Sequence, residues 1–415
     1  MAAGGAIDET QVRTEARAWV REHWDPELSL LEWRTRLVES GWAVPSWSPR
    51  WFGKGLPAWA DKVIADELHA AGAVGLPLGG GMTLAAPTLL RHGSDELNDR
   101  ILKRTLTGEL TWCQLFSEPG AGSDLASLST TAERDGDEYV VNGQKVWNTS
   151  AHHADLAMLL VRTDWDAPKH RGITYLVLPM HQPGVEVRPI VQMNRHRSFN
   201  EVFLTDARVP VANVVGEPGT GWDVARTTLA NERGFATMRR PSFDVRRGRA
   251  VAEAEAEAAD HFATYVWYPQ RAGRADLLAP QARARGCADD AVVRDRIVDV
   301  HSFRSANEWT AQRARANREL GRQPGPEGSL GKLAASEVAR RSALAHTRIA
   351  GAQGMLTEGD DPAEAVVAEV LVSTPAQSIA GGTDEIQKNI IGEKILGLPR
   401  EPAEDPGRSF RSTPR

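Results

Sequence analysis

Cysteine is scarce in this chain: Cys113 and Cys287 are the two among 415 residues. Two thiols make no disulfide framework, and the expectation is a protein of the reducing cytoplasm. A basic excess is also missing. The 49 Lys and Arg against 55 Asp and Glu leave a net charge of -6, the wrong sign for a surface that binds nucleic-acid phosphates. No apolar run reaches the roughly 18 residues of a membrane span. The start, MAAGGAIDETQ, lacks the basic and apolar parts of a secretory signal. Several chemistries are absent at motif level. No G-x-G-x-x-G opens a βαβ unit, and there is no G-x-S-x-G elbow. "PGPEGSLGKL" is only a loose P-loop, with Leu333 where a Ser or Thr would hold magnesium. His152 and His153 are neighbours in a predicted strand, so they should face opposite ways and chelate poorly. A soluble intracellular protein without a metal site is the expectation.

What is present falls into three stretches of different periodicity. Residues 1–110 are helical: "TQVRTEARAWVREHW" and "WADKVIADELHAAGAV" repeat apolar residues at three and four. A tryptophan-rich loop, "GWAVPSWSPRWFGKGLPAW", wedges large side chains against these helices. Over residues 111–221 the period becomes two. "EYVVNGQKVWNTS" predicts a hairpin about Asn142-Gly143, and "ITYLVLPM", "VEVRPIVQM" and "NEVFLTDARVP" predict further strands. Their close spacing predicts an antiparallel sandwich or barrel. Residues 222–398 are helical again. "AEAEAEAAD" there reads as a solvated helix face, "GRQPGPEGSLG" as a flexible link, and the tail 399–415 as disordered.

Four constellations could carry chemistry. The first is "FSEPGAGSDLASL": Phe116, Ser117, Gly122 and Ser123 combine hydroxyls with glycines that allow positive φ and close backbone approach to a ligand. A surface loop is the alternative. In the second, Trp147 and Thr149 are two apart in a strand, so an indole and a hydroxyl share one face that could cover a flat ring, or simply lie in the core. The third is "SIAGGTDEIQ", where Thr383 is placed to N-cap a helix with Asp384 and Glu385 in its first turn. Alone, that window reads as a helix start. In the fourth, "WDVARTTLANERGF", Trp222, Ala225, Leu229 and Phe235 or Ala236 form an apolar stripe onto which Glu232 falls. A carboxylate there needs a partner or a raised pKa. A salt bridge to Arg233 and a general base are both open readings.

Together these segments resemble the acyl-CoA dehydrogenase family over the chain to about residue 400. "FSEPGAGSD" and "IAGGTDEIQKNIIGEKILG" occur in the family's order, with "KVWNTS", "FNEVFLTDARVP" and "LANER" between them. The resemblance implies an N-terminal helical domain, a central antiparallel β-barrel or sandwich domain and a C-terminal four-helix bundle, with FAD between the β domain and the bundle. Phe116, Ser117 and Gly122 would line the flavin, and Ser123 would lie near flavin or thioester. Trp147 and Thr149 would pack on the isoalloxazine. Thr383 and Glu385 would contact the phosphate and sugar end, with Gln353 a further cofactor residue. Some members carry the catalytic glutamate just before Gly-Thr, where this chain has Gly381. Others carry it in a leucine-x-x-glutamate-arginine context, matched by "LANER", so Glu232 would be the base, Arg233 a substrate contact and the Gly381 N–H an enolate donor. The implied reaction is α,β-dehydrogenation of an acyl-CoA thioester, with electrons passing to an electron-transfer flavoprotein. An acyl-CoA oxidase, a flavin monooxygenase and a flavin-poor structural subunit are the alternatives. The family's arginine-x-x-phenylalanine-glycine segment, which reaches a neighbouring subunit's FAD, is missing from "ADHFATYVWYPQRAGRADLL". A homo-oligomer (dimer or tetramer) using other arginines, or a heteromer with a homologous subunit, is therefore expected.

Overall fold

The computed structural model describes residues 7–233, 243–320, 322, 325, 327–356, 362–400 and 407–412. At the N-terminus, the three-and-four spacing does what it predicts. Helix α1 (Glu9–His23) is N-capped by Asp8 and buries Val12, Ala16 and Val20 one turn apart. Helix α2 (Leu30–Glu39) starts in a Ser29–Glu32 capping box. On α3 (Trp59–Ala71), buried Glu67 is met by Arg13 at 3.2 Å and Arg17 at 2.8 Å from α1. A π-helical turn, Gly81–Ala85, runs into α4 (Ala86–His92), followed by α5 (Asp95–Thr107). Trp47, Trp51 and Phe52 of the tryptophan-rich loop pack against this helical core, as expected.

The middle of the chain forms eight strands: β1 (Trp112–Leu115), β2 (Thr131–Asp135), β3 (Glu138–Thr149), β4 (Leu156–Arg162), β5 (Ile173–Pro179), β6 (Val185–Ile190), β7 (Phe199–Pro210) and β8 (Val214–Val215). Their order is β6-β7-β3-β2-β4-β5-β8, with β1 beside β4. The antiparallel expectation needs amendment, because β1 runs parallel to β4 and β2 meets β4 in parallel at Thr131–Arg162. The predicted hairpin at Asn142-Gly143 does not form. β3 runs straight through that dipeptide with a register shift between Val141 and Gly143, and the β2–β3 turn lies at Gly136-Asp137 instead. The extra residue of that shift belongs to β7, where Asp206 takes φ +53° and accepts from the Asn142 amide at 3.0 Å, so the long partner carries the bulge and β3 keeps running. Strands β4 and β5 are buried on both faces. Met158, Leu160, Tyr175 and Val177 face helices α4 and α5, while Leu159, Val161, Leu176 and Leu178 face β3 and β7.

Helix α6 (Gly221–Arg233) lies on β5. At its start, a Cβ on Gly221 would stand 2.6 Å from Thr174 C and Tyr175 N, both main chain. Gly221→Ala therefore forces helix and strand apart and should cost about 1–3 kcal/mol, the usual penalty for overpacking, read as a lowered urea midpoint with an unchanged m-value. Helix α7 (Arg249–Ala263) packs on α2. Its "AEAEAEAAD" run is more than a solvated face. Ala254 and Ala258 are buried, Glu253 accepts from Leu30 N at 2.7 Å, and Glu257 pairs with buried Arg34 at 2.5 Å.

Contacts divide the chain into two compact units, one of Met1–Ile190, Ser198–Thr264 and Pro406–Arg415, the other of Val191–Arg197 and Tyr265–Asp405. The second unit holds α8 (Tyr268–Arg271), α9 (Leu278–Ala284), α10 (Ala291–Glu319), α11 (Glu327–Ala350), α12 (Pro362–Ser373), α13 (Pro375–Ile379) and α14 (Asp384–Lys394). Leu278, Ala282, Val293, Val300, Ala345 and Ile349 are its core. The expected flexible link is helical from residue 327 onward, as the first turn of α11. The tail also departs from expectation: residues 407–412 dock on the β domain, and Phe410 is buried.

Candidate functional site

The "FSEPGAGSDLASL" loop is built on a buried ion pair between Glu118 and Lys145. Lys145 of β3, without exposed surface, lies 2.8 Å from Glu118 and donates to the Phe116 carbonyl at 3.2 Å. Glu118 also accepts from Ser129 N (2.7 Å), Ser129 Oγ (3.0 Å) and Thr130 N (2.8 Å). Burial pushes the Glu118 carboxyl up, but the Lys145 ammonium and these donors outweigh it and hold it below the ordinary carboxylate range. Such a filled pair fixes the main chain on either side. Phe116 is buried edge-on against Tyr175 at 5.8 Å, and Ser117 O accepts from Val146 N at 2.9 Å. Gly122 and Ser123 follow in the exposed part of the loop. Neither Gly120 nor Gly122 uses the positive φ that glycine permits, and nothing lies within 4 Å of a Cβ at either. The main chain there is open to a ligand.

Trp147 and Thr149 do not alternate as an ideal strand would. The β3–β7 register shifts between Lys145 and Asn148, and Trp147 takes φ +66°. A bulky residue in left-handed backbone costs on the order of 1–3 kcal/mol, and such strain gathers at ligand sites. The bulge turns the indole outward, 58% exposed, edge-on to Phe199 at 5.9 Å. Half-buried Thr149 is two residues on.

Helix α6 presents Val224, Ala225 and Thr228 to the core. Thr228 Oγ1 is 3.0 Å from Thr88 Oγ1 and 3.3 Å from the Tyr175 hydroxyl, a buried chain that sets the helix's rotation. Glu232 follows one turn after Thr228 on this line and is half-buried. Trp222, at the other end, meets His170 edge-on at 5.0 Å. The Arg233 side chain, Phe235 and Ala236 lie outside the described residues.

In the second unit, Thr383 is the N-cap of α14, its hydroxyl accepting from Ile386 N. Gly381 at φ +68° precedes it, exposed, with open space where a side chain would stand. Here glycine is required by the left-handed backbone. Asp384 anchors the turn rather than merely complementing the helix dipole. It is buried, 2.8 Å from Arg340 and 3.4 Å from Lys332 on α11. Glu385 is exposed. Gln353 is exposed in the turn Gly351–Met355 and accepts from Arg285. The two arginines of "ADHFATYVWYPQRAGRADLL" are engaged within the second unit: Arg271 donates to Gln377 at 2.9 Å and lies over Tyr268, and Arg274 pairs with Asp276 at 2.8 Å.

His152 and His153 fall in the turn after β3, with ring centroids 3.8 Å apart, rather than on opposite faces of a strand. Among the described residues no group of three or more His, Cys, Asp or Glu side chains could hold a metal ion. Nor is any helix among them long and apolar enough to cross a membrane.

Glu118 and Lys145 were missed by motif reading. Lysine at a period-two inward position of β3 was the available signal, since an inward ammonium must have a partner.

Known proteins resemble the chain throughout. The acyl-CoA dehydrogenase N-terminal, middle and C-terminal domains match residues 7–109, 113–207 and 249–396. The acyl-CoA dehydrogenase IpdE1 of Mycobacterium tuberculosis is 33% identical over 95% of this chain and 99% of its own. The ChsE4-ChsE5 complex from the same organism superposes with a TM-score of 0.63 at 28% identity, covering 97% of this chain and all of that one. A G363A variant of the Tcur3481-Tcur3483 steroid ACAD gives 0.63 at 25% identity, covering 94% and 99%. Three matched domains in order and full-length likeness at this identity lead to one conclusion: the chain belongs to the acyl-CoA dehydrogenase family, oxidoreductases acting on CH–CH bonds.

Proposed function

We propose that the chain is an FAD-dependent dehydrogenase that converts an acyl-CoA thioester to its 2-enoyl-CoA, with Glu232 as the base. The observation that carries this reading is the placement of Glu232: half-buried, on the core-facing line of α6, one turn beyond a Thr228 held by Thr88 and Tyr175. A carboxylate partly withdrawn from water on a fixed helix suits α-proton abstraction.

The first unit's residues fit a flavin. The outward indole of Trp147, held at strained backbone, with Thr149 beside it, suits a flat polar ring, and the open main chain of Gly120–Ser123 suits close approach. Phe116 and Ser117, fixed by the Glu118–Lys145 pair, would line the same group. The chemistry that bound FAD supplies is two-electron acceptance from the substrate β-carbon. Glu232 takes the α-proton, and a main-chain N–H steadies the charge that develops on the thioester oxygen. Gly381 is assigned as that donor, and Thr383, Glu385 and Gln353 as cofactor contacts, through the family resemblance alone. Arg233 is kept as a substrate contact on the same ground.

A steroid-derived acyl group is the substrate class we favour, since one relative is described as a steroid ACAD. Electrons would leave through an electron-transfer flavoprotein. Two solved relatives are complexes of two named chains, and here Arg271 and Arg274 are engaged within their own unit. We infer that a homologous partner subunit completes the cofactor site. The protein expressed alone should then carry well under one FAD per chain, rising on co-expression with that partner. Full occupancy in the lone chain contradicts the heteromer. For the reaction, the loaded protein is mixed anaerobically with a panel of acyl-CoAs. Bleaching by steroid-derived thioesters supports the reading, and the absence of bleaching by any thioester counts against it.

A further inference from the structure

One buried cation binds two loops at once. Arg162, the last residue of β4, has no exposed surface. Its guanidinium donates to the carbonyls of Ala126 (2.7 Å) and Leu128 (3.1 Å), which end the Phe116–Leu128 segment. On the other side it donates to Lys169 O at 3.2 Å, in the β4–β5 connection. A planar cation bonded at its edges still needs cover on its faces, because water there weakens every bond it makes.

Cover for one face comes from the far end of the chain. The ring of Phe410, 4% exposed, is centred 3.6 Å from the guanidinium carbon, and Trp165 lies 5.6 Å from the same ring. The segment carrying it is pinned by main-chain bonds, Phe410 N to Ala167 O at 3.0 Å and Arg411 N to Trp165 O at 2.9 Å, with Arg411 also 2.8 Å from Asp166. From that connection the linkage returns to the motif loop. Lys169 Nζ is 2.5 Å from Asp124 Oδ2, an oxygen that also accepts from Ser127 Oγ at 2.6 Å.

We propose that residues 407–412 are a clasp, with Phe410 as its positioning residue, whose docking on the β4–β5 connection orders the Gly122–Leu128 stretch. The effect on flavin rests on the function proposed above, whereas the ordering of the loop does not. A tail of this kind would let the last residues of the chain control whether the loop is ready to receive a cofactor.

The test compares the full chain with one ending at Arg400, by hydrogen–deuterium exchange at the amides of residues 122–128. Truncation should speed exchange there roughly tenfold or more, the scale of a desolvated cation–π contact. A synthetic peptide of residues 404–415 added in trans should slow it again. In the full chain, Phe410→Trp should keep exchange slow and Phe410→Ala should not. Unchanged exchange after truncation overturns the clasp, as does fast exchange that the peptide does not slow. FAD titration separates the two readings. Faster exchange with weaker FAD binding supports both, while faster exchange with unaltered FAD affinity supports the clasp and counts against the loop's cofactor role.

Discussion

Lys145→Met destabilises the protein by about 3–5 kcal/mol, the range for removing one partner of a buried ion pair. Methionine nearly fills the space of the lysine stem, so the loss is electrostatic rather than a cavity. Glu118 then remains buried with the Ser129 and Thr130 donors but without the ammonium it is paired with. A urea midpoint displaced downward at an unchanged m-value is the measurement. The pH dependence carries a sign as well. In the wild type the Glu118 carboxyl sits below its ordinary range. Its contribution is therefore complete above the unfolded value of about 4.3 and is lost as the pH falls through the folded pKa. In the variant, burial without the ammonium raises the folded pKa, so protonation relieves the variant as the pH falls. The gap between the two proteins should narrow from pH 7 to pH 4. A gap that widens toward acid would mean that Glu118 is not the group left stranded.

With Glu232 as the proposed base, Glu232→Gln should leave the flavin bound and abolish proton abstraction. The amide keeps the size and hydrogen-bonding reach of the carboxylate, so the Val224–Thr228 face of α6 stays seated on β5. FAD retention should accordingly match wild type. Flavin reduction by substrate should fall roughly 10²–10⁴-fold, the usual contribution of a positioned general base. Glu232→Asp, with the carboxylate drawn back by one methylene, should recover part of the rate. The double comparison separates a proton-transfer role from a structural one, since a helix-seating role would follow side-chain length rather than charge.

Much of this was legible locally. The α1 stripe and the Thr383 N-cap depend on neighbours within a turn or two, which short-range pattern reaches. What was not legible is set by partners far along the chain. Asn142-Gly143 reads as a turn until β7 supplies a strand that pairs on both sides of it. Trp147 and Thr149 read as one face until a register shift turns the indole outward. Glu253 and Glu257 read as solvated until α2 presents its N-terminus and Arg34. The tail reads as disordered from its Pro, Gly and charge content, yet one phenylalanine finds Arg162 about 250 residues earlier in the sequence. Even the Glu118–Lys145 pair, central to the motif loop, joins two residues that no short-range pattern connects.

The proposed chemistry depends most on Glu232, and anaerobic single-turnover reduction tests it directly. FAD-loaded wild type and Glu232→Gln are each mixed with an acyl-CoA that bleaches the wild type, and the flavin's visible band is followed with time. Rapid bleaching in the wild type with a near-constant band in the variant, at equal flavin content, is the predicted result. Equal bleaching rates would mean that another group takes the α-proton.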